Sequence, residues 1–475
     1  MVRAPQYTVI LIALVSAAAQ AQDYNNLTNF QGASWEGVHF YGLSAFTSYV
    51  SSAYPIQMTA VVPIAANQLQ SDINYGVSGS AGWHHRFGEN ASASVQYSGT
   101  YNHSTKYSSL TALSHTLDIS ASWALTQKWT VNFSADGAYR TIADYLFAPT
   151  GLGTIAQLPA SATDLAAAMA VGQFSNSQVA AALTGSMYSG SAVTPAGNPA
   201  TALLVGTRVL TYGTRAAVTY QPTQRLSFGF SGVSAGGQNT LGDTSGVPQQ
   251  NYVMPRTLGL TGGADMNFSL TPRTNVGMDV NVSRMTNQFQ HAYTTTADGS
   301  IGRMMGMNWF LRGAAGVAIS SSTSIGGQAA ATPIGRQVIG SASIGYRLST
   351  QTFVATYNRS SMELNGFAIG TNSRFAGAWG WRRPGASWSL NASATHQELG
   401  NTGFTTLSGW QATAGWGIRL PEHLTLMAQY VYARSTGTYL GNTSSVSVNS
   451  VRLTIGWVPA QLTEAFDAAM AAARQ

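Results

Sequence analysis

Residues 258–270 read LGLTGGADMNFSL, and residues 275–283 read NVGMDVNVS. Every second residue of these stretches is small or apolar, from Leu258 to Leu270 and from Val276 to Val282. Most of the residues between them are polar, and they include Asp265 and Asp279. A period of two predicts strands with one apolar face and one polar face. The arms run for 13 and 9 residues, against about five or six in soluble proteins, and a tilted strand of this length crosses a bilayer.

The composition favours a membrane β-barrel over a soluble protein. Only 8% of the 475 residues are charged, against about 25% in soluble domains. After the N-terminus, no run approaches the ~18 apolar residues of a membrane helix. The chain contains 50 Gly, 21 Tyr and 11 Trp but no Cys, which fits an exported protein without disulfides. The formal charge of +6 comes from Arg residues scattered along the chain, so no nucleic-acid partner is expected.

The N-terminus predicts a secretory signal over residues 1–21. Arg3 supplies the positive charge, residues 9–15 form a short apolar core, and residues 19–21 (AQA) form a small-x-small cleavage site. The prediction continues with a polar lead over residues 22–33 and a transmembrane β-barrel over residues 34–458.

The hairpin at 258–282 recurs along the chain. Eight short turns are predicted at residues 88–90, 126–128, 222–224, 271–273, 320–322, 349–351, 383–385 and 421–423. They join sixteen strands, and one strand at each end makes eighteen, an even count as in bacterial barrels. Sixteen strands is the alternative count, because two of the predicted strands, the first one and the one after residues 320–322, are weak. The first strand is expected over 35–49, with Phe40 and Phe46 in one phase, and a weak strand over 325–331 follows the turn at 320–322. Longer polar connections are predicted at residues 236–252, 291–303 and 437–445.

Two segments break the alternation. Residues 147–206 are rich in Ala and predict a long insertion with short helices on the extracellular side, which either narrows the lumen or covers its mouth. Residues 459–475 predict an amphipathic helix on the periplasmic side. That helix either docks at the rim of the barrel or binds a periplasmic partner.

Tryptophans concentrate near the short turns and the end of the last strand. An aromatic girdle at the membrane interface has this distribution. Its predicted members are Trp83, Trp123, Trp129, Trp381, Trp388, Trp416 and Trp457.

With its repeated hairpins, turn pattern and signal peptide, the chain resembles the large porin-like β-barrels of the bacterial outer membrane. The resemblance implies contact with outer-membrane lipid and with the outer-membrane assembly machinery. One feature departs from it, because members of this class commonly end at an aromatic residue of the last strand. Here Trp457 is followed by eighteen residues.

The phase of each strand predicts which of its charged residues face the lumen. An Arg on the lipid face at mid-membrane costs about 2 to 4 kcal/mol, so the inward face is preferred. The predicted pore-lining residues are Arg86, Arg140, Arg215, Arg312, Arg347, Arg374, Arg452, Asp118, Asp136, Asp265 and Asp279. They form either an Arg-rich constriction that favours anionic or sugar-like solutes or a mutually neutralising network. Four further arginines lie in the outward phase near long connections, where they reach headgroups: Arg256, Arg284, Arg359 and Arg434.

A barrel of sixteen to eighteen strands leaves a water-filled channel unless it is plugged. The sequence therefore predicts a pore for passive diffusion of small polar or anionic solutes. The alternatives are an export pore for an anionic exopolysaccharide and a plugged structural or adhesion barrel. No enzyme is expected, because His115 and Asp118 have different phases. No metal or cofactor is expected, and His84 and His85 point to opposite faces.

Overall fold

The computed structural model describes residues 36–53, 70–106, 111–141, 208–240, 256–271, 273–287, 290–306, 308–325, 335–348, 350–364, 368–381, 387–399, 405–439, 442–457 and 459. The predicted signal peptide and polar lead lie outside the described residues. So do the insertion at 147–206 and, apart from Pro459, the C-terminal helix. Among the described residues, no helix is long and apolar enough to cross a membrane.

The described residues form 18 antiparallel strands in one sheet. Each strand has 12 to 18 residues, more than the soluble norm, as the amphipathic pattern predicts. The strands are β1 (Gly37–Ala53), β2 (Gln70–Phe87), β3 (Ala91–Ser104), β4 (Ala112–Ala124), β5 (Trp129–Thr141), β6 (Arg208–Thr223), β7 (Leu226–Thr240), β8 (Thr257–Thr271), β9 (Thr274–Asn287), β10 (Gln290–Met305), β11 (Trp309–Ser324), β12 (Gly335–Arg347), β13 (Gln351–Leu364), β14 (Ala368–Trp381), β15 (Trp388–Leu399), β16 (Thr405–Arg419), β17 (Leu424–Tyr439) and β18 (Asn442–Trp457).

The sheet closes into a barrel because its first and last strands pair. Leu43 lies opposite Trp457, and the pairing continues to Val50 opposite Ser450. Each of the remaining strands pairs with the strands that precede and follow it in the chain. Closure leaves no unpaired strand edge, which a sheet in lipid requires.

Threonine side chains form several of the short turns. Thr126 Oγ1 accepts hydrogen bonds from the backbone N–H groups of Lys128 and Trp129, both at 3.2 Å. Thr223 Oγ1 does the same for Arg225 and Leu226, at 3.3 and 3.2 Å. Such a side chain replaces a backbone acceptor and stabilises the reversal. Gly88 and Gly306 supply the positive φ, 71° and 68°, that two other turns require.

One predicted hairpin is wrong, although the strand count of eighteen is confirmed. The sequence predicts a long connection at residues 291–303, but these residues lie within β10. It predicts a short turn at residues 320–322, but these continue β11, in register with residues 292–294 of β10. The strand predicted at 325–331 has one described residue, Ile325, which forms a bend immediately after the end of β11. The actual short connection joins Met305 to Trp309.

Two further predictions need correction. The connection predicted at 437–445 shrinks to two residues between Tyr439 and Asn442. In β1, the register shifts between Phe40 and Gly42. Such a bulge moves all later residues to the other face. Phe40 therefore faces outward and Phe46 inward, whereas the sequence predicts a single phase for both.

Candidate functional site

The outer and inner faces of the barrel differ in chemistry. Exposed apolar side chains cover the outer face, for example Val77, Ile119 and Leu453. Polar and charged side chains alternate with them and face inward. An apolar outer band around a polar interior is the arrangement of barrels that span the outer membrane. The candidate functional site is therefore the inner wall.

Two aspartates of the inner wall lie side by side on β4 and β5. Asp118 is directly opposite Asp136 in the strand register. Gln96 flanks Asp118 on β3, and Gly213 flanks Asp136 on β6. Like charges at directly opposed positions repel each other, so the two carboxylates destabilise each other when both are ionised.

Three more aspartates form a continuous row across β8, β9 and β10. Asp279 lies directly opposite both Asp265 and Asp298. Asn267 Nδ2 donates to Asp265 Oδ2 at 3.0 Å, and the amide of Asn281 donates to Asp279. We refer to Asp265, Asp279 and Asp298 as the acidic row. Sequence reasoning missed Asp298 because its strand was assigned to a connection.

Glycines on the neighbouring strands make room for these side chains. Gly229 lies opposite Asp265, and a Cβ there would collide with the Asp265 carboxylate. Gly263 has the same relation to the amide of Asn281. The polar side chains therefore lie along the wall rather than projecting into the lumen.

Two inner-wall arginines, Arg374 and Arg452, lie on strands far from the aspartates, whereas Arg215 on β6 and Arg312 on β11 lie on strands beside them. Arg374 on β14 is only 3% exposed, and none of its guanidinium nitrogens has a hydrogen-bond partner among the described residues. The Arg452 guanidinium lies 3.8 Å from the centre of the Phe46 ring, and its Nε donates to Thr454 Oγ1 at 3.2 Å. The bulge in β1 makes this stacking possible, because it turns Phe46 inward.

The strand order places two of the acidic groups far from two of the basic groups around the ring. In a closed ring of 18 strands, β9 and β18 are nine strands apart in either direction, and so are β5 and β14. Asp279 lies five residues after the start of β9, and Arg452 lies five residues before the end of β18. Asp136 and Arg374 each lie seven residues from the corresponding ends of β5 and β14. These ends all lie at the short-turn side of the barrel, so the opposite charges lie at similar distances from that side, on strands that are nine apart in the ring.

The other predicted pore-lining residues have different surroundings. Arg86 is exposed at the end of β2, and Arg215 on β6 and Arg312 on β11 are half-buried on the inner face. Arg140 and Arg347 lie in β5 and β12, but the described residues do not include their side chains.

A small polar cluster holds the short-turn end of β2. The Glu36 carboxylate lies 2.9 Å from His85 Nδ1 and accepts a 2.9 Å hydrogen bond from the backbone N–H of Arg86. Desolvation acts to raise the pKa of Glu36, but these hydrogen bonds and the nearby histidines outweigh it, so the pKa lies below its ordinary value. His84 faces inward with 2% exposure, and His85 packs against Trp83 and Phe87.

The predicted girdle tryptophans all lie near the short-turn ends of their strands. Trp123, Trp129, Trp388, Trp416 and Trp457 are exposed on the outer face. Trp129 stacks on Tyr220, and Trp381 packs against Trp388, with ring centres 4.4 and 4.3 Å apart. Sequence reasoning missed Trp309, which packs against Tyr346 at 4.3 Å, because the misplaced turn at 320–322 put it far from that end.

No family model and no curated protein sequence matches this chain. Several solved structures match along most of its length. Pseudomonas aeruginosa OpdO has 12% identity and a TM-score of 0.42, covering 89% of this chain and 96% of its own. P. aeruginosa OccK2 (OpdF) in complex with glucuronate has 7% identity and a TM-score of 0.43, covering 89% and 97%. The FrpB iron transporter from Neisseria meningitidis has 10% identity and a TM-score of 0.38, covering 92% and 83%.

The assignment to the outer membrane rests on the barrel itself. Closure, strand length and the apolar outer face are those of the large porin-like β-barrels of that membrane. The resemblance noted from the sequence is confirmed at this level of architecture.

Proposed function

We propose that this protein is a pore through which small polar solutes, anions among them, diffuse passively across the outer membrane. The observation that carries the proposal is the opposition of charges on the inner wall. Asp279 and Asp136 lie nine strands from Arg452 and Arg374, respectively, in the closed ring of strands. A ring of 18 strands is wide enough for an aqueous channel between these walls.

Opposed charges favour polar solutes over apolar ones. Water and solutes with a dipole orient in the transverse field between the acidic and basic walls, whereas an apolar solute gains nothing from that field and must displace the ordered water. Anions pass along the inner wall at Arg452, whose side chain is partly exposed. The remaining predicted pore-lining residues, Arg140 and Arg347 among them, belong to the same proposal.

An exporter of anionic exopolysaccharide fits this wall poorly. A long polyanion fills the cross-section and is forced against five inward-facing aspartates, Asp118, Asp136, Asp265, Asp279 and Asp298. Like-charge contacts of this kind disfavour a partner. A plugged structural or adhesion barrel is the remaining rival, and it predicts no conductance.

Single-channel recording in planar bilayers separates the pore from the plugged barrel. We expect discrete conductance steps from the purified protein, and a larger conductance after deletion of residues 147–206 if that insertion narrows the lumen. Absence of conductance in both proteins would refute the pore. His115 faces outward beside Tyr97, whereas Asp118 lies inward, so the two side chains lie on opposite faces of the wall.

A further inference from the structure

A polar patch interrupts the apolar outer face at the long-loop ends of β9, β10 and β11. We call it the β9–β11 patch. Its members face outward, on the opposite side of the wall from the acidic row. They are Arg284, Thr286, His291, Tyr293, Ser321 and Thr323.

The side chains of the patch are organised as pairs across the strands. Arg284 lies directly opposite Tyr293, with its guanidinium carbon 5.6 Å from the ring centre. His291 Nδ1 lies 3.1 Å from Thr286 Oγ1 in the next outward-facing pair. In β11, Ser321 and Thr323 lie opposite Tyr293 and His291 and add two hydroxyl groups. The patch therefore combines one fixed cation with several hydrogen-bonding groups.

The positive charge of the patch favours an anionic ligand. Among the described residues of β8 to β12, no Asp or Glu side chain faces outward, since Asp265, Asp279 and Asp298 all lie on the inner face. Arg284 is exposed and stands three residues from the end of β9. Its planar guanidinium forms paired hydrogen bonds with phosphate oxygens, and hydroxyl and imidazole groups beside it suit a sugar or phosphate.

The position of the patch in the headgroup layer favours a lipid over a soluble anion. An outward-facing residue near a strand end meets the headgroup layer, and Tyr293 is an aromatic side chain suited to that depth. The connection between β9 and β10 is only two residues long. A soluble anion reaches this face only through the headgroup layer, whereas a lipid headgroup is already there.

We propose that the β9–β11 patch binds the phosphate-bearing headgroup of a glycolipid in the membrane leaflet at the long-loop end. Arg284 holds the phosphate, Tyr293 orients the guanidinium, and the hydroxyl groups of Ser321 and Thr323 contact the sugar. The site lies outside the barrel, so it does not depend on the proposed pore.

The test measures lipid binding to the purified full-length barrel in a neutral detergent. Lipid A, a glycolipid with two phosphates, is titrated against the protein, and bound molecules are counted by native mass spectrometry. We expect Arg284→Gln to weaken binding about fivefold, the effect of one basic residue at an anionic lipid surface, and Arg284→Lys to weaken it less. Dephosphorylated lipid A should bind wild type and Arg284→Gln equally.

Arg303→Gln is the matched control. Arg303 is an exposed, outward-facing arginine at the opposite end of β10, so its replacement removes the same charge from the same hairpin region. We expect this variant to bind lipid A like wild type. Equal weakening by Arg284→Gln and Arg303→Gln, no weakening by Arg284→Gln, or displacement of lipid A by millimolar inorganic phosphate would each overturn the proposal.

Discussion

Removing one charge from each side of the lumen should shift ion selectivity in opposite directions. The two variants are Asp279→Asn on β9 and Arg452→Gln on β18, which lie nine strands apart and equally far from the short-turn ends. If both side chains line the channel, Asp279→Asn favours anions and Arg452→Gln favours cations. The double variant should resemble wild type.

The magnitude follows from Coulomb's law. A wall charge about 7 Å from a passing ion contributes about 0.6 kcal/mol in water. Screening at 0.1 M salt, where the Debye length is about 10 Å, reduces this to about 0.3 kcal/mol. The change has opposite sign for anions and cations, so the permeability ratio changes about threefold per variant at 0.1 M. The same estimate gives about fivefold at 0.01 M and almost no change at 1 M.

The assay is the reversal potential of single channels under a salt gradient, at pH 8 so that the carboxylates are ionised. Arg303→Gln serves as the control, because that exposed side chain lies on the outer face. A shift in the same direction for both variants would refute the opposition of charges. So would shifts as large in 1 M salt as in 0.1 M salt, or a shift in Arg303→Gln equal to that in Arg452→Gln.

Three further predictions concern the wall and its ends. Gly263→Val should push the amide of Asn281 away from the wall and lower single-channel conductance, whereas Gly262→Val, with open space around its Cβ, should leave conductance unchanged. Asp72→Ala should lower the free energy of unfolding in urea by about 2 to 4 kcal/mol. The Asp72 carboxylate accepts hydrogen bonds from Thr105 Oγ1 at 2.8 Å and from the backbone N–H groups of Ile73 and Lys106 at 2.8 and 3.1 Å. Glu89→Ala, which removes an exposed turn carboxylate, is the control, and equal losses would contradict the role of Asp72. Glu36→Gln should lower the melting temperature slightly at pH 7. Because the pKa of Glu36 lies below its ordinary value, its contribution is present above the unfolded pKa of about 4.3 and is lost as pH falls through the folded pKa. Melting curves at pH 7 and pH 3 check this, and a difference between wild type and Glu36→Gln that grows on acidification would contradict it.

Alternation alone predicted most of the strands, but β10 shows where that signal fails. Its outward residues include Tyr293, Thr295 and Gly299, which are too polar or too small to mark an apolar face. The opposite error occurred at Ser320 to Ser322, where small polar residues suggested a turn. In the structure Ser320 is 2% exposed within β11, opposite Thr294 of the missed strand. The missed strand and the false one cancelled, which explains why the count of eighteen was nevertheless right.

The sequence predicted which residues of the candidate site face inward, but it did not predict which residues lie opposite them on the neighbouring strands. The inward phase of Asp265 and Asp279 follows from their own strands. Their direct opposition to Asp298 depends on the register between β8, β9 and β10, which local sequence does not contain. Phe46 is the clearest failure, because the bulge in β1 reverses its face and brings it against Arg452.

The amino-acid sequence by itself determined the amphipathic strands, most of the short turns and the low content of charged residues that suits a membrane-spanning barrel. These properties are local, since side-chain alternation and turn chemistry act over a few residues. Only the tertiary structure decided that β1 pairs with β18 and that Asp279 lies nine strands from Arg452 in the ring. Closure and register depend on hydrogen bonds between residues far apart in the chain, so the charges that face one another across the barrel are set by the whole ring of strands.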